Sequence, residues 1–525
     1  MIINNIRFIK KVWFFFLPIF LTFTVASAQG LPGKRNWYNL DLKEDGVFGI
    51  SIEKAYSKLL KGKKALPIIV AVIDGGSDPT HEDLKNVLWS NPKEIPGNGK
   101  DDDKNGYEDD LHGWNFMGYG TKSYEFGNEL IVLEIRNYQN IFGDKDSTQI
   151  DRKDLPEFKR YQSKRQELRN KRGKVNQDIQ TTSLLLTDLK TVQNKIGKDS
   201  LTIDDFQKFV PDNPTETGIR QFMISVLTQN PDFNGYIKRM REMLAQNQQN
   251  LQYKLNLNYN PKVKHIQGIE NGHVNSYGNG DIYGSVAPAH GTHVAGIIAA
   301  QRGNIIGIDG VADHVRLMII RAIPDGHAPG KDQASAIRYA ADNGAKVINM
   351  SFGLGLETDA QLVRDAVNYA IKKDILFICA AGNAHSDIDL TVAYPNRSSK
   401  RDKQFNDVFL RVGASGYTDN PRLAVPFSNF GKRNVDVFAP GQDINSTIPG
   451  NKYEAHSGTS MAAPVVSGLA AVIREYYPKL TAKQVKDVIM ASVVKRDVLK
   501  NLCVSGGIVN AFEALKFAET CPKRK

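Results

Sequence analysis

The sequence predicts an α/β fold, with a three-layer arrangement of a parallel sheet and helices on both faces, together with an inserted helical subdomain. Short apolar, β-rich runs alternate with helical segments, which is typical of a parallel sheet covered by helices. The first of these runs, residues 68–73, is apolar without interruption, as a strand buried on both faces requires. A polar stretch between the two halves of this pattern has apolar residues at helical spacing, and it predicts the inserted subdomain.

The alternating pattern occupies residues 37–120 and resumes over residues 275–517. In the first stretch, residues 52–60 are predicted to form a helix ahead of the strand. In the second stretch, strands are predicted at residues 315–322, 346–350, 375–380, 408–414 and 435–438. Helices are predicted at residues 333–343, 360–372 and 460–477. The last helix is so apolar that it must be buried on nearly every side.

Residues 122–270 have a different character, because they are rich in charged residues, Gln and Asn. Apolar residues recur at helical spacing, as in Leu185, Leu189, Val192 and Ile196. Gly197 and residues 211–214 interrupt the helices. This pattern predicts an inserted helical hairpin or small bundle, partly coiled-coil-like. The alternative is a flexible polar insertion without a core of its own.

The N-terminus predicts an export signal. Basic residues come first, residues 12–25 are mostly apolar, and Ala26-Ser27-Ala28 matches the small-residue cleavage pattern. We expect residues 1–28 to be removed as a signal peptide, so that the product is secreted or periplasmic and has no stable membrane anchor. The alternative is an uncleaved anchor, although this apolar stretch is short for a membrane span and contains Pro18.

Composition excludes some classes of protein. The chain has 525 residues, 41% hydrophobic and 24% charged, which is a globular rather than a disordered balance. The formal net charge is +11, but it is spread along the chain, so nucleic-acid binding is not expected. Cys379 lies in an apolar run and is expected in the core. Whether Cys503 and Cys521 form a disulfide is left open.

Three local sequences contain residue types that together can form a nucleophilic centre. Asp74 ends the first strand, residues 290–296 read HGTHVAG, and residues 457–464 read SGTSMAAP. In order they supply an acid, a base and a nucleophile, namely Asp74, His290 and Ser460. A serine hydroxyl needs an imidazole to take its proton, and a carboxylate holds that imidazole in the right tautomer. Ser460 also starts the buried helix, where unpaired backbone N–H groups favour a developing oxyanion.

All three segments resemble the signature segments of the subtilisin-like serine peptidases, the subtilases, and Asp, His, Ser is that family's order. The resemblance implies a serine endopeptidase acting on protein or peptide substrates and needing no cofactor for catalysis. Asp74 would orient the imidazole, His290 would be the general base, and Ser460 the nucleophile. The resemblance covers residues 37–120 and 275–517 but not the insertion.

Two further segments are similar to segments of the same family. Residues 380–383, Ala-Ala-Gly-Asn, resemble its oxyanion segment, which implies that Asn383 donates its side-chain amide alongside the backbone N–H of Ser460. Residues 348–353 resemble its substrate-binding strand, which pairs with an extended peptide. The expected substrate contacts are Ser351, Phe352, Gly353, Ala381 and Gly382. Phe352 stands where the family usually has an aliphatic residue, and we expect apolar P1 residues.

The chain departs from the family pattern between Asp74 and His290, because the helical insertion lies between these two residues in the sequence. The expected order is a signal peptide (1–28), the N-terminal part of the catalytic domain (29–121), the helical insertion (122–270), the C-terminal part (271–520) and a basic tail (521–525). Because the insertion enters and leaves between Asp74 and His290, we hypothesise that it stands near the cleft and limits access or recruits substrate.

Residues 101–110, DDDKNGYEDD, are dense in hard oxygen ligands and predict a structural calcium site. The expected ligands are Asp101, Asp103, Asn105, the carbonyl of Tyr107, and Asp109 or Asp110. His112 stands where a calcium loop usually has a bidentate Glu. The alternative is a solvated acidic loop without an ion. A catalytic metal is not indicated, since Lys85 stands where the second His of a zinc-protease helix would follow His81, and His293 is expected to be a packed helix residue.

Two other functions compete with an active endopeptidase. One is a subtilase fold that has lost activity and serves for binding, although all four catalytic positions have the required residue types. The other is an adhesive envelope protein in which the helical insertion is the working part. The physiological substrate and the oligomeric state are left open by the sequence.

Overall fold

The structure, a computed structural model, describes residues 36–261, 277–286, 288–353, 360–390 and 403–521. The predicted signal peptide and residues 522–525 of the predicted basic tail lie outside these ranges. Among the described residues, no helix combines the length and the apolar character needed to cross a bilayer.

Helices and strands alternate along both halves of the chain. The described helices are α1 (Leu42–Asp45), α2 (Ile52–Ala55), α3 (Leu130–Phe142), α4 (Leu155–Ile196), α5 (Ile203–Lys208), α6 (Pro214–Gln229), α7 (Phe233–Gln249), α8 (Pro288–Ala299), α9 (Gly330–Asp342), α10 (Ala360–Lys372), α11 (Lys403–Asn406), α12 (Thr459–Tyr476), α13 (Ala482–Ala491) and α14 (Ala511–Thr520). The described strands are β1 (Ile68–Asp74), β2 (Gly113–Asn115), β3 (Gly118–Tyr119), β4 (Lys122–Ser123), β5 (Val315–Arg321), β6 (Val347–Met350), β7 (Leu376–Ala380), β8 (Phe409–Ser415), β9 (Val437–Pro440), β10 (Ile444–Ile448), β11 (Lys452–His456), β12 (Val494–Lys495) and β13 (Gly507–Ile508).

A nine-stranded sheet forms the centre of the molecule, in the order β12-β13-β9-β8-β7-β6-β1-β5-β2. Its strands pair in parallel, apart from the antiparallel edge pair of β12 and β13. β7 and β8 are buried along their whole length, as expected of strands covered on both faces. The predicted α/β fold with a parallel sheet is confirmed.

Two buried helices carry the segments on which the catalytic prediction depends. α12 packs against β6 to β9 and against α8. Its residues from Thr459 to Glu475 are buried almost without exception, as its apolar sequence predicts. α8 is also buried, and Gly291 lets it approach β1, because a Cβ at that position would lie 2.0 Å from the carbonyl oxygen of Gly76. Close packing of these two helices on the sheet therefore sets the spacing of the site.

The insertion is helical and has cores of its own. We call residues 130–254 the helical arm. Its longest helix, α4, has 42 residues and is therefore about 63 Å long. One small core near the base of the arm contains Ile131, Val132, Ile135, Phe142, Phe158, Tyr161, Leu168 and Leu255. A second, distal core contains Leu189, Val192, Leu201, Phe206, Ile219, Met223, Leu227 and Phe233. These two cores are separate from the core around the sheet.

The base of the arm joins the edge of the sheet at which the parallel strands end. The backbone N–H of Glu129 donates to the carbonyl of Lys254 at 2.8 Å, so the two ends of the arm meet. The rings of Phe126 and Tyr253 stack at 4.2 Å, and the Nζ of Lys254 lies 2.6 Å from Asp325. Asp325 follows β5, whose last residue pairs with Asp74 in register. The arm thus starts near the carboxyl ends of the parallel strands, where the predicted catalytic acid lies.

The cysteines Cys503 and Cys521 have free thiols. Cys503 lies in a buried cluster with Phe438 and Leu499, whereas Cys521 packs at the rim of the main core. The disulfide that the sequence left open is therefore not formed in this structure.

Candidate active site

Asp74 and His290 form an acid–imidazole pair in which the carboxylate is buried and the imidazole is 41% exposed. Asp74 is the last residue of β1 and is only 5% exposed. Its Oδ1 accepts a hydrogen bond from the backbone N–H of Gly75 at 2.8 Å. The Nδ1 of His290 lies 2.8 Å from Oδ1 and 3.0 Å from Oδ2 of the same carboxylate. A carboxylate facing Nδ1 places the proton there, so the Nε2 of the neutral ring is left as the acceptor.

The pKa of His290 reflects two opposing effects. Burial disfavours the imidazolium and on its own would lower the pKa. The charge of Asp74 and its hydrogen bond outweigh burial, and they raise the pKa of His290 above the usual value. The pair therefore stabilises the protonated ring, which is the state that a histidine reaches when it accepts a proton as a general base.

Ser460 lies in the first turn of α12 and is half-buried. Its hydroxyl donates to the carbonyl of Ser351 at 2.9 Å, and the hydroxyl of Ser351 donates back to the carbonyl of Ser460 at 2.9 Å. This reciprocal pair joins the start of α12 to the end of β6. Ser460 is thus tied to the segment predicted to bind substrate.

Asn383 is oriented by Thr459, the residue before the nucleophile. The Oδ1 of Asn383 accepts from the backbone N–H and from the hydroxyl of Thr459, both at 2.9 Å. The hydroxyl of Thr459 in turn accepts from the backbone N–H of Gly382 at 3.0 Å. Because the amide oxygen of Asn383 is occupied in this way, its exposed NH₂ group is the part left to donate to a substrate.

The loop after β7 is held in shape by Asn429. Gly382 adopts a φ of +101°, a conformation that favours glycine. The side chain of Asn429 donates to the carbonyl of Ala381 at 2.9 Å and accepts from the backbone N–H groups of Ala384 and Ser386. The loop that carries Asn383 is therefore fixed from both sides, by Asn429 and by α12.

The predicted substrate contacts lie on two adjacent segments. Ser351, Phe352 and Gly353 continue from β6, while Ala381 and Gly382 continue from the neighbouring strand β7. Gly353 is exposed and Phe352 is half-buried against the main core. The next residues, 354–359, lie outside the described ranges. The two segments present backbone at the carboxyl end of the sheet, where α/β folds bind their ligands.

His293 is a core residue, as predicted, and its ring packs against that of His456. Its ring is fully buried and stacks on His456 with centroids 4.3 Å apart. Burial, followed by the neighbouring charge of His456, lowers the pKa of His293 to about 3, so this ring is neutral at ordinary pH. His456 ends β11 four residues before Ser460, and its charge is coupled to that of His290.

The acidic loop gathers only some of the predicted calcium ligands. Carboxylate oxygens of Asp101 and Asp103 lie within 4.8 Å of each other and of Glu94. Asn105 and Tyr107 shape the turn, since their backbone N–H groups bond to Asp101 and Asp103 and to the Asn105 side chain, respectively.

The carboxylates of the last two predicted ligands are occupied by other groups. The carboxylate of Asp109 accepts from the backbone N–H groups of residues 97–99. Asp110 is buried and accepts from the hydroxyl of Tyr339 at 2.6 Å and from the side-chain amides of Asn91 at 2.8 Å and Asn105 at 3.1 Å. Burial raises the pKa of Asp110 to about 6. Neither carboxylate belongs to the cluster around Asp101.

The sequence analysis assigned no role to four residues at these sites. Asn429 is distant in sequence from the loop that it holds, Glu94 lies just before the acidic run, and an isolated Asn or Glu is ordinary in any chain. His456 lies just outside the serine segment. Thr459 lies inside that segment, and its place before the nucleophile is the one signal that sequence reasoning could have used.

The amino-acid sequence of the chain is similar to sequences of known proteins. A family model described as the Subtilase family matches residues 67–507. The chain is 46% identical over 186 residues to the thermophilic serine proteinase of Bacillus sp. (strain AK1), covering 35% of this chain and 42% of that protein. It is 37% identical over 214 residues to subtilisin DY of Bacillus licheniformis, covering 40% of this chain and 73% of that protein.

The name of a third relative describes it as intracellular. The chain is 35% identical over 226 residues to the major intracellular serine protease of Bacillus subtilis (strain 168), covering 41% of this chain and 66% of that protein. The chain therefore spans less than half the length of the first relative, and about two thirds to three quarters of the other two.

Proposed function

Because this chain belongs to the subtilase family of serine endopeptidases, we propose that it hydrolyses peptide bonds of protein substrates through Asp74, His290 and Ser460. The observation that carries the proposal is the pairing of a buried, strand-end Asp74 with the Nδ1 of His290 at 2.8 Å. This pairing leaves Nε2 free to act as a base. His290 lies on α8, which packs against α12, the helix whose first turn contains Ser460.

The first half of the reaction forms an acyl-enzyme. The hydroxyl of Ser460 turns from Ser351 to His290, whose Nε2 takes its proton as the oxygen attacks the peptide carbonyl. Asp74 stabilises the imidazolium. The backbone N–H of Ser460 and the NH₂ of Asn383 donate to the oxyanion. When the tetrahedral intermediate collapses, His290 gives the proton to the leaving amine, and the C–N bond breaks.

The second half of the reaction regenerates the enzyme. Water enters, His290 takes one of its protons, and the resulting hydroxide attacks the acyl carbon. The oxyanion forms again beside Asn383. Collapse of this intermediate breaks the ester bond to Ser460, which recovers its proton from His290 as the new carboxylic acid leaves. Atoms balance with one water consumed for each peptide bond, and no cofactor takes part.

The substrate would bind as an extended strand. Residues 351–353 and 381–382 continue from two neighbouring parallel strands, so their backbone donors and acceptors lie at the same end of the sheet. An extended peptide can pair with such backbone, while its side chains enter adjacent pockets. Small residues line the primary pocket in this proposal, which favours apolar P1 side chains.

The proposal is tested by substitution of the nucleophile. Residues 29–525 are expressed as the parent, as Ser460→Ala, and as Ser163→Ala, a control at an exposed serine on the helical arm. Each is exposed to a fluorophosphonate probe and to casein, with calcium present. The parent and the Ser163 control are expected to be labelled and to cleave casein. Ser460→Ala should do neither, because loss of the nucleophile costs on the order of 10⁶ in turnover.

A folded parent that is neither labelled nor active would contradict the proposal. In that case the subtilase fold would serve for binding. Labelling that persists in Ser460→Ala would place the nucleophile at another residue.

We also propose that the acidic loop binds a structural calcium ion through Glu94, Asp101 and Asp103. Glu94 is only 7% exposed, and its Oε2 has no hydrogen-bond partner among the described residues. Three carboxylates brought together repel one another, and hard oxygen donors of this kind suit calcium. Calcium would neutralise the cluster and stiffen the loop, whereas catalysis would not depend on it.

Thermal unfolding tests the calcium proposal. Calcium is expected to raise the melting temperature of Ser460→Ala, a background that prevents self-digestion. Glu94→Gln should remove most of this increase, while Glu108→Gln, at an exposed carboxylate of the same loop, should keep it. An equal response of both variants would show that calcium acts elsewhere.

The extracytoplasmic location is also a proposal. It rests on the export signal predicted in residues 1–28, while the relatives include an intracellular protease. Fractionation of cells that express the full chain tests it. A product that stays in the cytoplasm and still contains these residues would contradict it.

A further inference from the structure

A second cluster of potential metal ligands lies apart from both the active site and the acidic loop. Ligand atoms of Asp313, His314 and Glu475 all lie within 4.8 Å of one another. Asp313 and His314 precede β5, and Glu475 is the penultimate residue of α12. The cluster therefore joins the start of a central strand to the far end of the nucleophile helix.

Glu475 is the unusual member of this cluster. It is fully buried, at 0% exposed, and neither of its carboxylate oxygens makes a hydrogen bond of standard geometry with the described residues, although the carboxyl group of Asp313 and the backbone N–H of His314 lie next to it. A buried carboxylate without a hydrogen bond or an opposite charge is strongly disfavoured. Its position adds to the cost, because the C-terminal end of a helix repels negative charge and attracts cations.

The described neighbours do not supply a charge that would neutralise Glu475. Asp313 adds a second carboxylate, and its Oδ1 lies 2.9 Å from the Nδ1 of His314. Arg302 lies in the same region, but both oxygens of Glu53 bind its guanidinium at 2.6 and 2.7 Å. The hydroxyls of Tyr56 and Tyr476 reach the carboxylate of Asp313 at 3.1 and 3.2 Å, and they are neutral.

From this arrangement we propose that Asp313, His314 and Glu475 bind a divalent transition-metal cation of the Zn²⁺ class. One imidazole with two carboxylates is a donor set that suits Zn²⁺ rather than Ca²⁺, which prefers oxygen donors alone. Tetrahedral zinc, with bonds of about 2.0–2.2 Å, separates its ligand atoms by roughly 3.3–3.5 Å. His314 and Asp313 would move apart by only a few tenths of an ångström to admit it.

An ion can reach this site from solvent. Asp313 and His314 line a surface cavity of about 710 Å³. His314 is half-exposed beside this cavity, while Glu475 is fully buried. A tyrosine hydroxyl or a water would complete the four ligands. Such a site has an entry path and a buried anchor, as a structural metal site requires.

The cation would stabilise the fold rather than act in catalysis. Glu475 lies fifteen residues along α12 from Ser460, which at about 1.5 Å per residue places it about 22 Å away. The proposal is therefore independent of the proposed function. If the protein is not an active peptidase, the metal site stands, and if the metal site fails, the triad is untouched.

Zinc binding to the full chain tests the proposal. The Ser460→Ala protein is stripped with a chelator and given one equivalent of ZnCl₂. Zinc retained through gel filtration is then measured by mass spectrometry, and thermal unfolding is followed with and without zinc. We expect one zinc per chain and a higher melting temperature. His314→Asn and Glu475→Gln should each weaken zinc binding by at least about 100-fold, since even indirect support of a ligand is worth 10–100-fold.

Matched variants separate this site from the calcium loop. Glu94→Gln should keep zinc binding, and calcium should not replace zinc at the Asp313 site. Because His314 is half-exposed, His314→Asn is expected to fold even if Glu475→Gln does not. Zinc that is not retained, or is retained equally by His314→Asn, would overturn the proposal. Asp313 and Glu475 would then share a proton.

Discussion

At the scale of single residues, Thr459 connects the nucleophile helix to the oxyanion loop. Its hydroxyl accepts from the N–H of Gly382 and donates to the Oδ1 of Asn383, so it acts as a positioning residue for the donor. Each such hydrogen bond contributes a net of about 0.5–1.5 kcal/mol. Without them the NH₂ of Asn383 loses its fixed direction.

We predict that Thr459→Ala lowers kcat by about 10–100-fold, less than the 10²–10³ expected for loss of the donor itself. KM should change little, because the transition state depends on the oxyanion donors more than the bound substrate does. Thr459→Ser should restore kcat, since it keeps the hydroxyl. Steady-state kinetics on a peptide substrate provides the measurement. A rise in KM with kcat unchanged would contradict the positioning role.

The pKa of His290 predicts how activity depends on pH. Catalysis needs the neutral ring, and the interaction with Asp74 outweighs burial and raises the pKa of His290. The value of kcat/KM should therefore fall as the pH drops through this raised pKa, at a pH above the usual 6.5 or so for histidine. Asp74→Asn should move this acid limb to lower pH and reduce kcat by about 10⁴.

A pH–rate profile of the parent and of Asp74→Asn checks both statements. The effect of His290 on folding stability depends on pH in the opposite direction to its effect on activity. A raised folded-state pKa adds stability that is fully present below the unfolded pKa and is lost as the pH rises through the folded pKa. An acid limb that does not shift in Asp74→Asn would show that another group controls the activity.

At the scale of secondary-structure elements, the approach of α8 to β1 sets the distance between the base and the acid. A Cβ on Gly291 would lie 2.0 Å from the carbonyl oxygen of Gly76 and 3.2 Å from the Cβ of Asp74. Backbone cannot yield as a flexible side chain can, so the helix would have to move away from the strand.

Two matched substitutions test this packing, and we expect them to change the free energy of unfolding in opposite directions. Gly291→Ala should destabilise the fold and remove most activity, because α8 is displaced. Gly173→Ala, in the middle of α4 with open space around its Cα, should stabilise by about 0.5–1 kcal/mol through helix propensity. Chemical denaturation of both variants in the Ser460→Ala background gives the free energies of unfolding. Equal effects at the two positions would contradict the packing argument.

At the scale of the whole molecule, the helical arm lies beside the carboxyl ends of the parallel strands, where Asp74 is placed. Arg321, which is fully buried, donates to the carbonyl of Gly75 at 2.8 Å and binds Glu125 at 2.5 Å. Gly75 follows the catalytic acid, and Glu125 lies just before the arm. The arm therefore starts within two side-chain contacts of Asp74.

We predict that residues 130–253 can be replaced by a short Gly/Ser linker without loss of the fold, because the ends of the arm meet and its cores are its own. Cleavage of a short chromogenic peptide should persist, while the rate on casein changes. A higher rate on casein would mean that the arm limits access, and a lower rate that it recruits substrate. Unchanged activity on both substrates would refute a role for the arm.

The sequence by itself determined the parallel α/β fold and the helical character of the insertion, and it supplied the residues of the proposed triad. Strand and helix periods are local, because a buried parallel strand must be apolar along its length and a buried helix apolar on all sides. The segments around Asp74, His290 and Ser460 are also local, and each contains its chemical signal within a few residues. For these features, neighbours along the chain carry enough information.

Only the tertiary structure decided which distant groups meet. The sequence indicated a calcium set within residues 101–110, but folding places Glu94 beside Asp101 and turns Asp109 and Asp110 towards other partners. Glu475 and Asp313 lie in separate elements, and only the packing of α12 on the sheet joins them. Such contacts depend on how elements pack and on which charges burial leaves without a partner, and no local pattern of residues encodes either.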